Sequence, residues 1–440
     1  MRLILLITTL VIASTYSLFA QGGKPDSSEQ RFTIHGQTTV VWQEKPGFTA
    51  KYSGANSLST KEENQTSVTS TLFAGLKLWK GASFYFNPEL AGGSGLSSVL
   101  GVADAPNGET FRIGDPDPKI CIARMYMQQI FPLGKEKQFQ LTDVNQIQGT
   151  YPTRYISLTV GKVAISDFFD NNQYNHDPRK QFLSWGLMSS AAWDYPANTR
   201  GYTPSTIIEY ITPVNELRAA LSLMPTSANG SDMNWDIGKV FSLTFEYAHN
   251  HKWLFHRNGM IRLLTFFTQA NMGNYEKSIK ANPTAPDIIA NRTDGRTKYG
   301  FAINAEQEIN DFIGGFSRFS WNDGKNETWA FTEVDRSFQI GLSLKGSKWK
   351  RNDDNAGIAY VISGISKDHR DYLKDGGYGF MLGDGNLNYA AENLAEVYYS
   401  FAVNKSLFIT GTYQLLVNPG YNLDRSGPVN IFSIRVHTEF

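Results

Sequence analysis

The sequence predicts a closed antiparallel transmembrane β-barrel of about 16 strands, with short periplasmic turns and long extracellular loops. Three observations carry that expectation. The chain starts with a secretory leader, it continues as repeated segments of alternating polarity, and the connections between those segments alternate between short and long.

The leader comes first. Met1-Arg2 is a short positive start, Leu3 to Ile12 is an apolar core, and Ser17-Leu18-Phe19-Ala20 precedes Gln21. That order is the signature of a cleaved signal peptide over 1–20, too short and wrongly flanked to be a membrane anchor. Residues 21–31 are then expected as a periplasmic N-terminal segment and 32–440 as the barrel. The mature chain has no second apolar run near the length of a transmembrane helix. Its mean hydropathy of −0.33 fits a barrel with a polar interior. Lys plus Arg and Asp plus Glu stand equal at 41 each, which argues against a nucleic-acid partner. The single Cys121 excludes an intramolecular disulfide framework.

The alternation gives the strands. Phe432, Ile434, Val436 and Phe440 alternate with Ser433, Arg435, His437 and Glu439, so one face can meet lipid and the other water. The pattern recurs at Tyr299, Phe301 and Ile303, at Phe338, Ile340 and Leu342, and at Val397, Tyr399 and Phe401. In the first half the segments fall near 32–43, 67–79, 83–91, 118–131, 153–162, 205–212, 216–224 and 237–249. In the second half they fall near 259–270, 298–310, 312–322, 331–345, 355–365, 392–404, 407–417 and 429–440. Those at 312–322 and 355–365 alternate poorly.

Connection length gives an independent check. Lys80-Gly81, Pro213-Val214-Asn215, Asn310-Asp311 and Asn404-Lys405 all follow even segments. The long stretches 44–66, 92–117, 163–204, 271–297 and 366–391 all follow odd ones. Only 132–152, a long connection on the short-turn side, breaks the rule. Both chain ends then lie in the periplasm. The apolar stripe ending at Phe440 is what a barrel-assembly machinery can grip by strand addition.

Parity also assigns the lumen. Arg124, Tyr126 and Gln128 share a face opposite Cys121, Ala123, Met125 and Met127. Arg218, Glu246, Arg435, His437 and Glu439 are expected inside too, because an Arg or Lys facing lipid near the midplane costs roughly 2–4 kcal/mol. The mixed signs predict a polar pore without strong preference for one ion sign.

The stretch 163–204 is too long for a plain connector, and loops of that length usually serve a function. It carries Asp170, Asn171, Trp185, Trp193, Asp194 and Arg200. Flat aromatics suit the C–H face of a sugar ring, and Asp, Asn and Arg suit its hydroxyls. With Arg124 and Glu246 from the wall, these residues are the expected pore constriction. Each aromatic has a second reading, as packing that holds the loop against the wall. Asp167, Asp170 and Asp177 lack the ligand spacing of a Ca2+ site, so no metal and no cofactor is expected. None of the seven histidines falls in a nucleophile or zinc motif. His369-Arg370-Asp371 is expected as a solvated loop, and no catalytic residue is assigned.

Several stretches resemble the OprB-type carbohydrate-selective porins: Phe168-Phe169-Asp170-Asn171-Asn172, Trp193-Asp194-Tyr195-Pro196, Arg200-Gly201-Tyr202 and Ala270-Asn271-Met272-Gly273-Asn274-Tyr275. Phe319-Ser320-Trp321-Asn322-Asp323-Gly324, Gly357-Ile358-Ala359 and Asn418-Pro419-Gly420 extend the likeness towards the C-terminus. The resemblance implies a sixteen-stranded outer-membrane channel for passive sugar uptake, with a constriction lined by charged and aromatic residues. It implies carbohydrate and outer-membrane lipid as partners, and self-association into a homo-oligomer stays open. An exporter of an alginate-like polysaccharide would use a more one-signed lumen. An outer-membrane hydrolase would need a Ser–His pair on adjacent strands.

Overall fold

The computed structural model describes residues 28–110 and 117–440. The expected leader at 1–20 lies outside the described residues, as do 21–27 of the segment expected after it.

Each apolar–polar alternation becomes a strand because it serves lipid on one face and a polar lumen on the other. In the first half the barrel strands are β1 (Phe32–Lys45), β2 (Glu63–Trp79), β3 (Ala82–Gly93), β4 (Lys119–Pro132), β7 (Tyr155–Val163), β8 (Thr203–Ile211), β9 (Asn215–Ser222) and β10 (Phe241–His251). The second half adds β11 (Gly259–Met272), β12 (Thr293–Glu308), β13 (Ile313–Asn322), β14 (Arg336–Lys345), β15 (Asn355–Gly364), β16 (Glu392–Asn404), β17 (Leu407–Val417) and β18 (Val429–Glu439). These sixteen strands form one closed antiparallel barrel, sealed by β1 against β18 in the register Gln37↔Glu439 to Glu44↔Phe432. Phe440 extends that seam, exchanging backbone hydrogen bonds of 3.1 and 3.0 Å with Gly36. The short strands β5 (Lys137–Gln140) and β6 (Gly149–Pro152) make a separate hairpin inside the exceptional connection at the short-turn end.

All sixteen expected segments coincide with barrel strands, and the burial pattern follows parity. On β14, Ile340 is 51% exposed to the surround while its neighbour Gln339 is 0% exposed inside. Three local departures have physical causes. On β4 the register against β3 shifts at Asn87/Pro88, so Asn87 pairs with Arg124 and Pro88 with Ile122. The extra residue turns Ala123 and Cys121 inward, where parity had put them on the lipid face. The segment expected at 331–345 becomes a strand only from Arg336, because Phe331 and Val334 are buried in the preceding loop. The weak alternation of β13 reflects Phe316, which points inward and packs on Phe182 at a centroid distance of 5.6 Å.

The interior is filled from the long-loop end. Trp193, Trp329, Tyr275 and Tyr372 are all fully buried, and they sit in loops. Three short helices lie in those loops: α1 (Trp185–Met188), α2 (Tyr275–Ala281) and α3 (Lys367–Lys374). His369-Arg370-Asp371 lies on α3, not in a solvated loop. Ser366 caps that helix, and the buried His369 ring stacks on Tyr275 at 4.3 Å and bonds Asp335 at 3.0 Å. Among the described residues no helix is long and apolar enough to cross a membrane, which says nothing of strands.

Candidate functional site

The loop after β7 turns into the barrel and lies along the inner face of β10 to β18, held by inward polar side chains. Glu246 on β10 accepts the backbone N–H of Asp170 at 2.6 Å. Asn304 on β12 donates to the Asp170 carboxylate at 2.7 Å, and Asn172 donates to the Asn304 carbonyl at 2.8 Å. Arg318 on β13 donates to the carbonyls of Asn175 and Leu187 at 2.7 and 3.0 Å. Gln339 on β14 reaches the Ser189 carbonyl at 2.7 Å, and Glu396 on β16 accepts the N–H groups of Leu183 and Ser184 at 2.6 and 3.0 Å. Arg435 on β18 donates to the carbonyls of Pro178 and Gln181 at 2.6 and 2.8 Å. A loop inside a barrel is cut off from bulk water, so its backbone groups must find such partners. The segment 94–110 is seated similarly: Glu392 accepts the N–H groups of Ala103 and Asp104 at 3.0 and 2.7 Å.

These anchors leave a cavity of about 420 Å³ between the loop and the wall of β1 to β4. One side is charged. Arg124 makes a two-pronged bond to Asp167 at 2.5 and 2.7 Å. Arg179 bridges Glu109 at 3.0 Å and Glu89 at 3.2 Å, while the Tyr202 hydroxyl donates to Glu89 at 2.8 Å. Arg124 also stands over the Tyr202 ring, 5.3 Å from its centroid. Burial alone would disfavour the Arg179 charge; Glu109 and Glu89 outweigh it and hold the guanidinium ionised. Burial likewise works against the Asp177 carboxylate, and Arg179 outweighs it, keeping that pKa below the usual range. The other side is aromatic. Trp185 stacks on Phe331 at 5.7 Å and an interplanar angle of 16°, and Tyr195 meets the same ring at 4.3 Å. Burial raises the Tyr195 phenol, so it is a neutral hydrogen-bonding group. A second cavity of about 350 Å³ lies below the loop at the short-turn end, bordered by Lys180, Glu308, Lys345 and Glu439.

The residues expected at the constriction divide into three groups. Arg124, Trp185 and Arg200 border the larger cavity. Asp170, Trp193, Asp194 and Glu246 do not border it, and they hold the loop in place. Trp193 is enclosed with Phe169 and Tyr195 at 6.4 and 5.4 Å, so it offers no face to a solute. Asp194 accepts the N–H groups of Trp329 and Ala330 at 2.8 Å each and pairs with the buried Lys298 at 3.3 Å. Asn171 is exposed, but away from this cavity; its carbonyl accepts from Asn304 at 3.1 Å.

Arg179, Tyr195 and Tyr202 of the same long loop also border the cavity, and Glu89, Glu109 and Phe331 border it without having been expected there. A signal existed for Glu89, since a charge within a membrane strand has to face inward. For Glu109 and Phe331, which reach the cavity from other loops, the sequence carried none. Among the described residues no group of three or more His, Cys, Asp or Glu side chains is arranged to hold a metal ion.

Comparison with known structures agrees with the barrel. The high-pH structure of Pseudomonas putida OprB superposes with a TM-score of 0.69 at 16% identity, covering 93% of this chain and 94% of that one. The outer membrane channel DcaP of Acinetobacter baumannii superposes with a TM-score of 0.51 at 10% identity, covering 95% and 99%. At such identities the likeness is one of fold. No curated protein matches the chain. Residues 55–440 match the family described as carbohydrate-selective porin, OprB family, and with the sixteen-stranded barrel this makes the chain a member of that family and a porin of the outer membrane.

Proposed function

We propose that the chain passes neutral sugars by passive diffusion from the long-loop side to the periplasm, through the cavity beside the loop 163–204. The observation that carries this reading is the facing of two unlike walls across one space: the Trp185–Phe331–Tyr195 cluster, and the Arg124–Asp167 and Arg179–Glu109–Glu89 pairs. An aromatic face suits the C–H side of a sugar ring, and fixed charged groups suit its hydroxyls. Because the cations are matched by acids, the rim presents no one-signed field. That favours an uncharged solute over an alginate-like chain.

The chain acts here as a channel and not as a hydrolase. Within it, 1–20 is the leader, 21–31 the periplasmic segment and 32–440 the barrel. The strand ending at Phe440 is the segment offered to the assembly machinery, and mature barrels are free to associate in the lipid plane.

Contacts of this kind contribute roughly 0.5–1.5 kcal/mol each, so binding is weak, as conduction requires. The test is ion current through the reconstituted protein with sugars added at millimolar concentration. Sugars should interrupt the current, and Trp185→Ala should shorten the interruptions while the pore stays open. Current that no sugar ever interrupts would remove the basis of the carbohydrate reading.

A further inference from the structure

The connection between β4 and β7 is the one long excursion at the short-turn end, and its role is not explained by joining two strands. After the β5 strand the chain does not stay outside. Segment 141–148 turns back into the barrel mouth and lies against the inner faces of β1 and β3. The Thr142 hydroxyl bonds Thr33 at 2.6 Å and the His35 ring at 2.7 Å, both on the lumen face of β1. The Asn145 side chain accepts from Asn87, a fully buried residue on the lumen face of β3, at 2.9 Å. Ile147 is fully buried in the same apolar cluster as Tyr85 and Tyr126.

The tip is itself stiff. Asp143 and Gln146 exchange backbone hydrogen bonds of 3.1 and 3.0 Å, and Asn145 takes the left-handed φ of 52° that closes the turn. Behind it, Lys77 donates to the Gln148 carbonyl at 3.1 Å. Asp143 and Val144 are exposed, and both border the cavity that holds Arg124, Trp185 and Arg200. The wall covered by this segment is the one the loop 163–204 leaves free. A solute that occupies this cavity therefore meets the tip.

We propose that segment 141–148 is a second constriction of the conduction path, at its periplasmic exit, and that Asp143 and Val144 are the specificity-determining residues that touch the departing sugar. The inference rests on the reading of this cavity as the sugar path. An acid at the exit disfavours anionic solutes, and a short apolar side chain beside it sets the width.

The experiment separates the two readings. Val144→Cys is made in a Cys121→Ser background, reconstituted in one orientation, and treated from the short-turn side with a sulfonated methanethiosulfonate. Conductance should fall by about half or more, as expected of a bulky anion placed at a narrow point. Asp143→Lys should shift the reversal potential in a salt gradient towards anions. Replacing 142–146 by two glycines should raise conductance by about twofold and shorten sugar interruptions. Heat-modifiable migration confirms that each variant is a folded barrel. If modified Val144→Cys conducts as before and Asp143→Lys leaves the reversal potential unchanged, the exit constriction is refuted even where sugars still block the wild type. If the ionic effects appear but no sugar blocks the wild type, the constriction stands, and the assignment of sugar as its solute is overturned with the carbohydrate reading.

Discussion

Arg318 is the most demanding test of how the pore loop is held. It sits on β13, fully buried, and its guanidinium donates to the carbonyls of Asn175, Leu187 and Asp170 at 2.7, 3.0 and 3.3 Å. It also lies 3.4 Å from the Asp170 carboxylate. Arg318→Ala removes one charged partner from a buried pair, a class of change that costs about 3–5 kcal/mol. Asp170 keeps Ser190 and Asn304 as donors, so the lower end applies: about 3 kcal/mol, or roughly a hundredfold shift towards the undocked loop. The barrel wall keeps its ladder, so folding should survive. Single-channel recording should then show larger conductance, more open-channel noise and briefer sugar interruptions. Arg318→Lys, which keeps the charge but not the fork of donors, should fall between. A folded Arg318→Ala barrel with wild-type conductance, noise and sugar block would refute the anchoring argument.

Other expectations follow from the same contacts. Burial pushes the Asp104 carboxyl above its ordinary value, so the seated segment 94–110 holds a proton that the unfolded chain has already lost. Its seating should be strongest below about pH 4 and weaken as pH rises above that; open-channel noise should grow with pH, and grow less in Asp104→Asn, where the buried Glu392 carboxyl remains. Deleting Phe440 removes the backbone pair to Gly36 and the terminal aromatic, so the yield of heat-modifiable barrel in membranes should fall while synthesis continues. An epitope inserted at the exposed Asn388 should be reached by antibody on intact cells, whereas one at Lys80-Gly81 should need permeabilised membranes. The reverse labelling would invert the topology.

The wall was readable because lipid imposes parity. A period of two leaves few alternatives once charges are excluded from the outer face, and the alternation of short and long connections constrains the strand count. Parity failed only at the β3–β4 bulge, where one extra residue turned Cys121 and Ala123 inward. The interior was harder. Trp185 and Trp193 stand eight positions apart in one loop, and nothing in their sequence neighbourhood says that one stacks on Phe331 at the cavity while the other is enclosed with Phe169. That difference is decided by the loop 323–335, which brings Phe331 from far along the chain. The acidic residues misled for a related reason. Asp170, Asp194 and Glu246 have the chemistry of sugar-binding groups, yet a loop folded into a barrel needs the same chemistry to satisfy its own backbone.

That double demand explains how the passage is built. The loop 163–204 presents one edge to inward side chains from six strands, β10, β12, β13, β14, β16 and β18, which satisfy its amides and carbonyls. Its other edge supplies Trp185, Tyr195, Arg179 and Tyr202 to the cavity. The position of each cavity residue on this loop is therefore inherited from the register of strands on the opposite wall. The rim does not need flexible side chains searching for partners, because Arg124 and Arg179 are already tied to Asp167, Glu109 and Glu89. Pairing also limits how strongly any rim group can hold a solute, since its best acceptor is the carboxylate already present. On the path proposed above, a sugar exchanges water for shared hydrogen bonds and an aromatic face, gains little, and leaves readily. Weak binding thus follows from the same ion pairs that keep the passage in shape.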